Sequence, residues 1–168
     1  GILDIRAEYA AVNRNVSSYR KTQRILLGIS SEGASVTAYS DGKSIRKVTV
    51  EVLGETGRAD EEYYFKDGKL FFSYAVTRMY QSPFDDSNDT ITETDRLYFH
   101  EGKMIRWLSF TEEIGKYTAE FAQKEKATLS NAKDFTTLMV TPGPVGPESS
   151  WYCAARQAGV CVKYSPSR

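Results

Sequence analysis

Between residues 34 and 110 the chain alternates apolar and polar residues in short runs separated by acid-glycine pairs, the pattern of a half-buried β-sheet. The clearest stretch is EEYYFKDGKLFFSYAVTRMY, from Glu61 to Tyr80, two strand-like runs about Asp67-Gly68. Gly accepts positive φ without a Cβ penalty and Asp tolerates it, so the pair predicts a two-residue hairpin turn. The pattern aromatic, any residue, acid, Gly, Lys recurs at Tyr39 to Lys43, Phe65 to Lys69 and Phe99 to Lys103, an internal repeat of hairpins. Strands are predicted near 34–40, 44–53, 58–66, 69–80, 92–100 and 103–110, joined by short turns and one longer loop at 81–91. Consecutive short hairpins make an antiparallel meander.

The turns fix a trial register. Phe65 should face Leu70, Tyr63 face Phe72, Phe99 face Met104 and Leu97 face Arg106, while a loop at Gly54 to Gly57 sets Val48 against Tyr63, Val50 against Glu61 and Val52 against Ala59. Strict alternation then gathers Val48, Val50, Val52, Tyr63, Phe65, Leu70, Phe72, Tyr74, Val76, Leu97, Phe99, Met104 and Leu108 on one core face. The opposite face receives Tyr64, Phe71, Arg96, Tyr98, Ile105 and Trp107 among polar residues.

Both flanks read as helices. From Asp4 to Leu27 the residues Ile5, Tyr9, Val12, Val16, Tyr19, Gln23 and Leu26 recur at helical spacing, with Asp4 as cap and Gly28 as stop. A second stripe, Phe121, Glu125, Leu129, Ala132, Phe135 and Met139, spans 118–140, capped by Thr118 and ended by Pro142. The expected fold is therefore α+β in a single domain over 1–168: a helix at 4–27, a bent antiparallel meander of about six strands at 34–110, a helix at 118–140 and a Pro/Gly linker and tail at 141–168. Both helices are expected on the Val48 to Leu108 face. The alternative is a closed or half-closed barrel with flanking helices.

Composition narrows the function classes. Lys+Arg and Asp+Glu both number 22, so no net field draws in nucleic acid or an anionic membrane. No apolar run is long enough to cross a bilayer as a helix. The chain begins with Gly rather than Met, which predicts an upstream natural start with an export signal or lipidated segment. Cys153 and Cys161 are the two cysteines, an even pair in a tail of small residues, and a bridge between them would contribute about 2 to 3 kcal/mol by loop entropy. A location outside the cytoplasm, in the periplasm or secreted, follows as the expectation.

No nucleophile elbow, phosphate loop, dinucleotide glycine fingerprint or zinc-protease motif is present, so no catalytic residue, cofactor or metal site is assigned. His100, the only histidine, is expected beside a turn on the polar side of its strand. Glu61, placed among valines on the core face, is expected to pair with an arginine. Asp85, Asp86 and Asp89 lie in a loop that lacks the spacing of a helix-loop-helix calcium site and reads as solvated. The remaining candidate is the second sheet face, where Tyr64, Phe71, Arg96, Tyr98 and Trp107 read either as cross-strand pairs, Tyr64 with Phe71 and Arg96 with Trp107 in a cation–π contact, or as a recognition surface. So much exposed aromatic area calls for a cover, from the tail, a second copy, or an unidentified protein or small-molecule partner.

The stretches IRAEYAAVN, VTAYSDGK, GETGRADEEYYFKDGKLFF and RLYFHEGKMIRWL resemble a group of uncharacterised exported bacterial proteins, some lipoprotein-like, built on Tyr/Phe-x-Asp-Gly-Lys-Leu hairpins. That resemblance covers roughly Ile5 to Leu108, implies periplasmic or secreted residence, and supplies no catalytic residue. The expected function is a non-enzymatic binding or interaction module using the face opposite the helices. The alternatives are a carrier of a small apolar ligand or an enzyme of unrecognised type.

Overall fold

The computed structural model describes residues 1–27, 30, 32–80, 90–140, 151–153 and 160–163, the last two segments and Leu27 by backbone alone. Helix α1 (Ile2–Asn15) leads through a single 3-10 turn into strand β1 (Arg20–Leu27). Strands β2 (Ala34–Ser40), β3 (Ile45–Gly54), β4 (Gly57–Lys66), β5 (Lys69–Tyr80), β6 (Thr90–His100), β7 (Lys103–Ser109) and β8 (Glu112–Glu113) continue as an antiparallel meander. Helix α2 (Ala119–Val140) follows, then β9 (Trp151–Cys153) and β10 (Val160–Lys163). The strand order is β8-β7-β6-β5-β4-β3-β2-β1-β10-β9, with β10 parallel to β1. The fold is α+β, and the sheet is open rather than closed into a barrel.

The hairpin turns form as their acid-glycine pairs dictate. Asp67 and Gly68 have φ of 50° and 74°, Glu101 and Gly102 of 48° and 76°, the left-handed pair that suits the twist of two-residue hairpins. The Asp41 turn is longer: the Asp41 carboxylate accepts the backbone N–H groups of Lys43 (2.9 Å) and Ser44 (3.0 Å), and Ser40 pairs with Ile45. Every predicted strand from 34 to 110 is found within two residues of its expected ends. The pairings of Val48, Val50, Val52, Phe65 and Phe99 hold as well.

The first helix is shorter than its periodicity promises. It ends at Asn15, and Arg20–Leu27, expected to be helical, is a strand between β2 and β10. Val16-Ser17-Ser18 lowers helix propensity at the exit, and the free edge of β2 offers seven residue pairings to Arg20 through Leu26. Asp4 lies inside the first turn rather than at the cap. Helix α2 begins as expected, with the Thr118 hydroxyl accepting the N–H of Phe121 at 3.2 Å.

The larger departure is in the sheet faces. Each of the three repeated hairpins carries a β-bulge on its return strand: the register shifts between Tyr39 and Ser40, between Tyr64 and Phe65, and between Tyr98 and Phe99. Arg46, Phe71 and Ile105 are the extra residues, so Tyr64 rather than Tyr63 faces Phe72, and Leu97 faces Trp107 rather than Arg106. A bulge puts two consecutive side chains on one side and inverts the alternation beyond it. Phe72, Tyr74 and Leu108, assigned by alternation to the Val48 face, therefore belong to the other one, and Trp107 moves the opposite way.

Two cores result, one on each face, and the helices do not share a face. Phe121, Ala132, Phe135, Leu138 and Met139 of α2 pack on Leu26, Val36, Val48, Tyr63, Phe65, Leu97, Phe99 and Trp107. Ile5 and Val12 of α1, with Ile2 and Tyr9, pack on Tyr64, Phe71, Phe72 and Tyr98. The described tail strands β9 and β10 join the sheet at the β1 edge, the opposite end from β7, and Ile105 packs against the α1 cluster. Lys47 and Arg46, delivered side by side by the first bulge, anchor α1. Lys47 Nζ donates to Asn13 Oδ1 (3.1 Å) and Arg46 to Glu8, and Glu8 also receives Lys66 Nζ (2.8 Å).

A candidate binding cleft between the first helix and the sheet

Of the five residues expected on an open recognition face, three are roofed by α1. Tyr64 is fully buried, Tyr98 and Phe71 nearly so, because α1 packs on this face and lays Ile5, Tyr9 and Val12 over them. Trp107 is buried on the far face, where its indole Nε1 donates to Asp95 Oδ1 (2.7 Å) and Lys124 Nζ lies 5.3 Å from its ring centre. Arg96 faces Leu108 instead of Trp107, and its guanidinium lies over Tyr74 at 5.3 Å. The expected Arg96–Trp107 contact is thus replaced by an Arg96–Tyr74 one.

The same rearrangement builds a cleft. Beside the first turns of α1 a depression of about 310 Å³ opens, lined by Ile5, Arg6, Tyr9, Phe72, Tyr74, Arg96 and Tyr98. Its floor is a run of rings in contact: Phe72 meets Tyr98 at 5.1 Å and Tyr9 at 5.2 Å between centroids, the latter edge to face. Exposed Arg6 and half-buried Arg96 stand at its margin. Two of the sequence-predicted residues, Arg96 and Tyr98, are therefore brought together here. Phe72 and Tyr74 escaped prediction because the bulge shift that turns them to this side leaves no mark in the alternation, and Tyr9 because its helix was expected on the other face.

Behind the floor lies a closed polar network. Tyr64 donates its hydroxyl proton to Glu62, and Lys47 Nζ sits 3.2 Å from the same carboxylate and 4.9 Å above the Tyr64 ring. Burial, then Glu62, raises the Tyr64 phenol far above the ordinary tyrosine range, so it stays protonated as a donor. Glu61 repeats the arrangement on the α2 face with Tyr63, whose phenol is likewise raised, first by burial and then by Glu61. Glu61 thus pairs with a tyrosine where an arginine was expected.

His100 is exposed and faces Lys103, as expected. It borders a second depression of about 230 Å³ together with Asp4, Glu8, Lys66, Asp67, Lys69 and Glu101. Most of its charged groups are paired: Lys66 to Glu8 at 2.8 Å, Lys69 to Glu101, and Asp4 to the N-terminal amine. A third, of about 390 Å³, lies between the end of α2 and the first two hairpin turns. Among the described residues no group of three His, Cys, Asp or Glu side chains is disposed to hold a metal ion. No helix is long and apolar enough to cross a membrane, among the described residues. Asp85, Asp86 and Asp89 lie outside the described residues. So do the side chains of Cys153 and Cys161, although their backbones are direct partners across β9 and β10. No disulfide is found among the described residues.

No protein-family model, curated protein or solved structure matches this chain.

Proposed function

We propose that the chain is a non-enzymatic binding module whose site is the cleft between α1 and strands β5 and β6. The observation that carries this reading is the depression beside the first turns of α1, where half-buried Tyr9 and Tyr74 meet the buried rings of Phe72 and Tyr98. Concave, mostly apolar sites of about 300 Å³ or more with a few polar groups at the margin are the usual form of small-ligand sites. The His100 depression has polar groups an enzyme would use, but Lys66 is paired with Glu8 and Lys69 with Glu101, and no Ser, Thr or Cys lines it.

A neutral dye whose emission rises in apolar surroundings, N-phenylnaphthylamine, tests the cleft. Saturable enhancement with the folded protein, reduced at least about tenfold in affinity by Tyr74→Ser, is the expected result. Tyr74 is only half-buried, so this variant keeps the fold. Absence of saturable binding, or binding indifferent to Tyr74→Ser, removes the cleft as the site.

The same proposal places the protein outside the cytoplasm with Cys153 and Cys161 bridged. What supports it is the hairpin resemblance and the direct backbone pairing of the two cysteines. Intact-mass measurement after alkylation, with and without reductant, should show two alkyl groups only after reduction. Two groups without reductant, in protein exported by its host, would remove the bridge.

A further inference from the structure

The electrostatics of the cleft margin specify the ligand more narrowly, on the premise that the cleft is the binding site. Arg46, Lys47, Arg58, Arg78, Arg106 and Lys124 are half-buried or buried cations on the sheet and on α2, and each has a carboxylate within 3.2 Å. Arg96 does not: it is half-buried on the cleft wall, and among the described residues its only partner is the face of Tyr74. Arg6 on α1, across the cleft, also meets no carboxylate among the described residues. Two residues along β7 from the Arg96 partner Leu108, Arg106 holds a buried Nε with no acceptor, its Glu113 bond being made through Nη2.

Two arginines with no carboxylate partner among the described residues thus stand at the margin of a depression with an aromatic floor. A guanidinium whose partner is an aromatic face keeps its planar fork of N–H donors free, and that fork matches a carboxylate in two parallel hydrogen bonds. Partial removal from water makes such a bond stronger than its counterpart at a fully exposed arginine. We infer that the cleft takes an organic acid with an aromatic body, an arylalkyl carboxylate, its ring on Phe72, Tyr74 and Tyr98 and its carboxylate held by Arg96 and Arg6. Arg6 closes the second side of the carboxylate from the helix, so ligand binding also ties α1 to β6.

The test compares phenylbutyrate with its neutral amide, which has the same body and no charge, by ligand-observed NMR titration against the full chain. The carboxylate should bind at least about tenfold more tightly than the amide at low salt, with the difference shrinking as salt is added. Arg96→Gln should abolish that difference, and Arg6→Gln, at an exposed helix position, should reduce it without touching the fold. Arg96→Lys should restore it in part, as a point charge without the fork. Equal affinity for carboxylate and amide in the unaltered protein overturns the inference but leaves the cleft as a binding site. Failure of both to bind overturns the two together. A preference that survives both Gln variants overturns the assignment to these arginines.

Discussion

Phe72 reports which helix its face belongs to, and a double-mutant cycle reads that directly. Its ring is 93% removed from solvent and touches Tyr9 at 5.2 Å, Tyr64 at 5.8 Å and Tyr98 at 5.1 Å between centroids. Truncation to Ala removes that packing and leaves a cavity under α1, costing about 3 to 5 kcal/mol. The sharper quantity is the coupling. An edge-to-face aromatic pair contributes about 0.5 to 1.5 kcal/mol beyond its buried area, so Phe72→Leu and Tyr9→Leu together should be less destabilising than their sum by that amount. Phe72→Leu combined with Phe135→Leu on α2 should be additive within about 0.3 to 0.5 kcal/mol, because a sheet separates them. Tyr63 and Phe135, 5.7 Å apart on the α2 side, provide the positive control for that face. Urea unfolding of the single and double variants, at unchanged slope, supplies the free energies. Coupling of Phe72 to Phe135 with none to Tyr9 would refute the bulge-shifted faces and restore strict alternation.

Gly57→Ala should destabilise by at least about 1 to 3 kcal/mol, since its Cβ would lie 2.3 Å from the Arg78 carbonyl oxygen in the paired strand. Gly54→Ala is the control, its Cβ meeting only the Gly57 carbonyl oxygen at 3.6 Å, and equal thermal shifts for the two would show that β4 and β5 approach less closely. Asp41 is held below its ordinary 3.8 by the N–H groups of Lys43 and Ser44, with Arg46 adding to the effect. Its folded-state value is therefore depressed, and its contribution is complete above the unfolded value and lost as pH falls through the folded one. Unfolding free energy measured from about pH 5 down to pH 2 should show a shallower acid decline in Asp41→Asn than in the parent, and parallel curves would deny the turn carboxylate that role.

The sequence by itself determined what is local. Asp67-Gly68 and Glu101-Gly102 can close a tight hairpin because the left-handed φ they adopt is cheap for Gly and tolerable for an acid beside it, whatever packs around them. Strand ends, the pairings nearest the turns, and the Phe121 to Met139 stripe of α2 follow from such short-range preferences. Arg20–Leu27 was decided elsewhere: its polar and aliphatic residues suit helix and strand alike, and the unpaired edge of β2 settles the matter. The cleft was decided by the bulges at Arg46, Phe71 and Ile105, each a single extra residue that no periodicity announces and that inverts every side chain beyond it. Phe72 and Tyr74 joined Tyr64 and Tyr98 on the α1 face, Phe72 buried under the helix and Tyr74 half-buried at the cleft with Arg96 over its ring. A face assigned by alternation depends on counting residues correctly from the turn, and only long-range packing of α1 against the sheet rewards a count that is off by one.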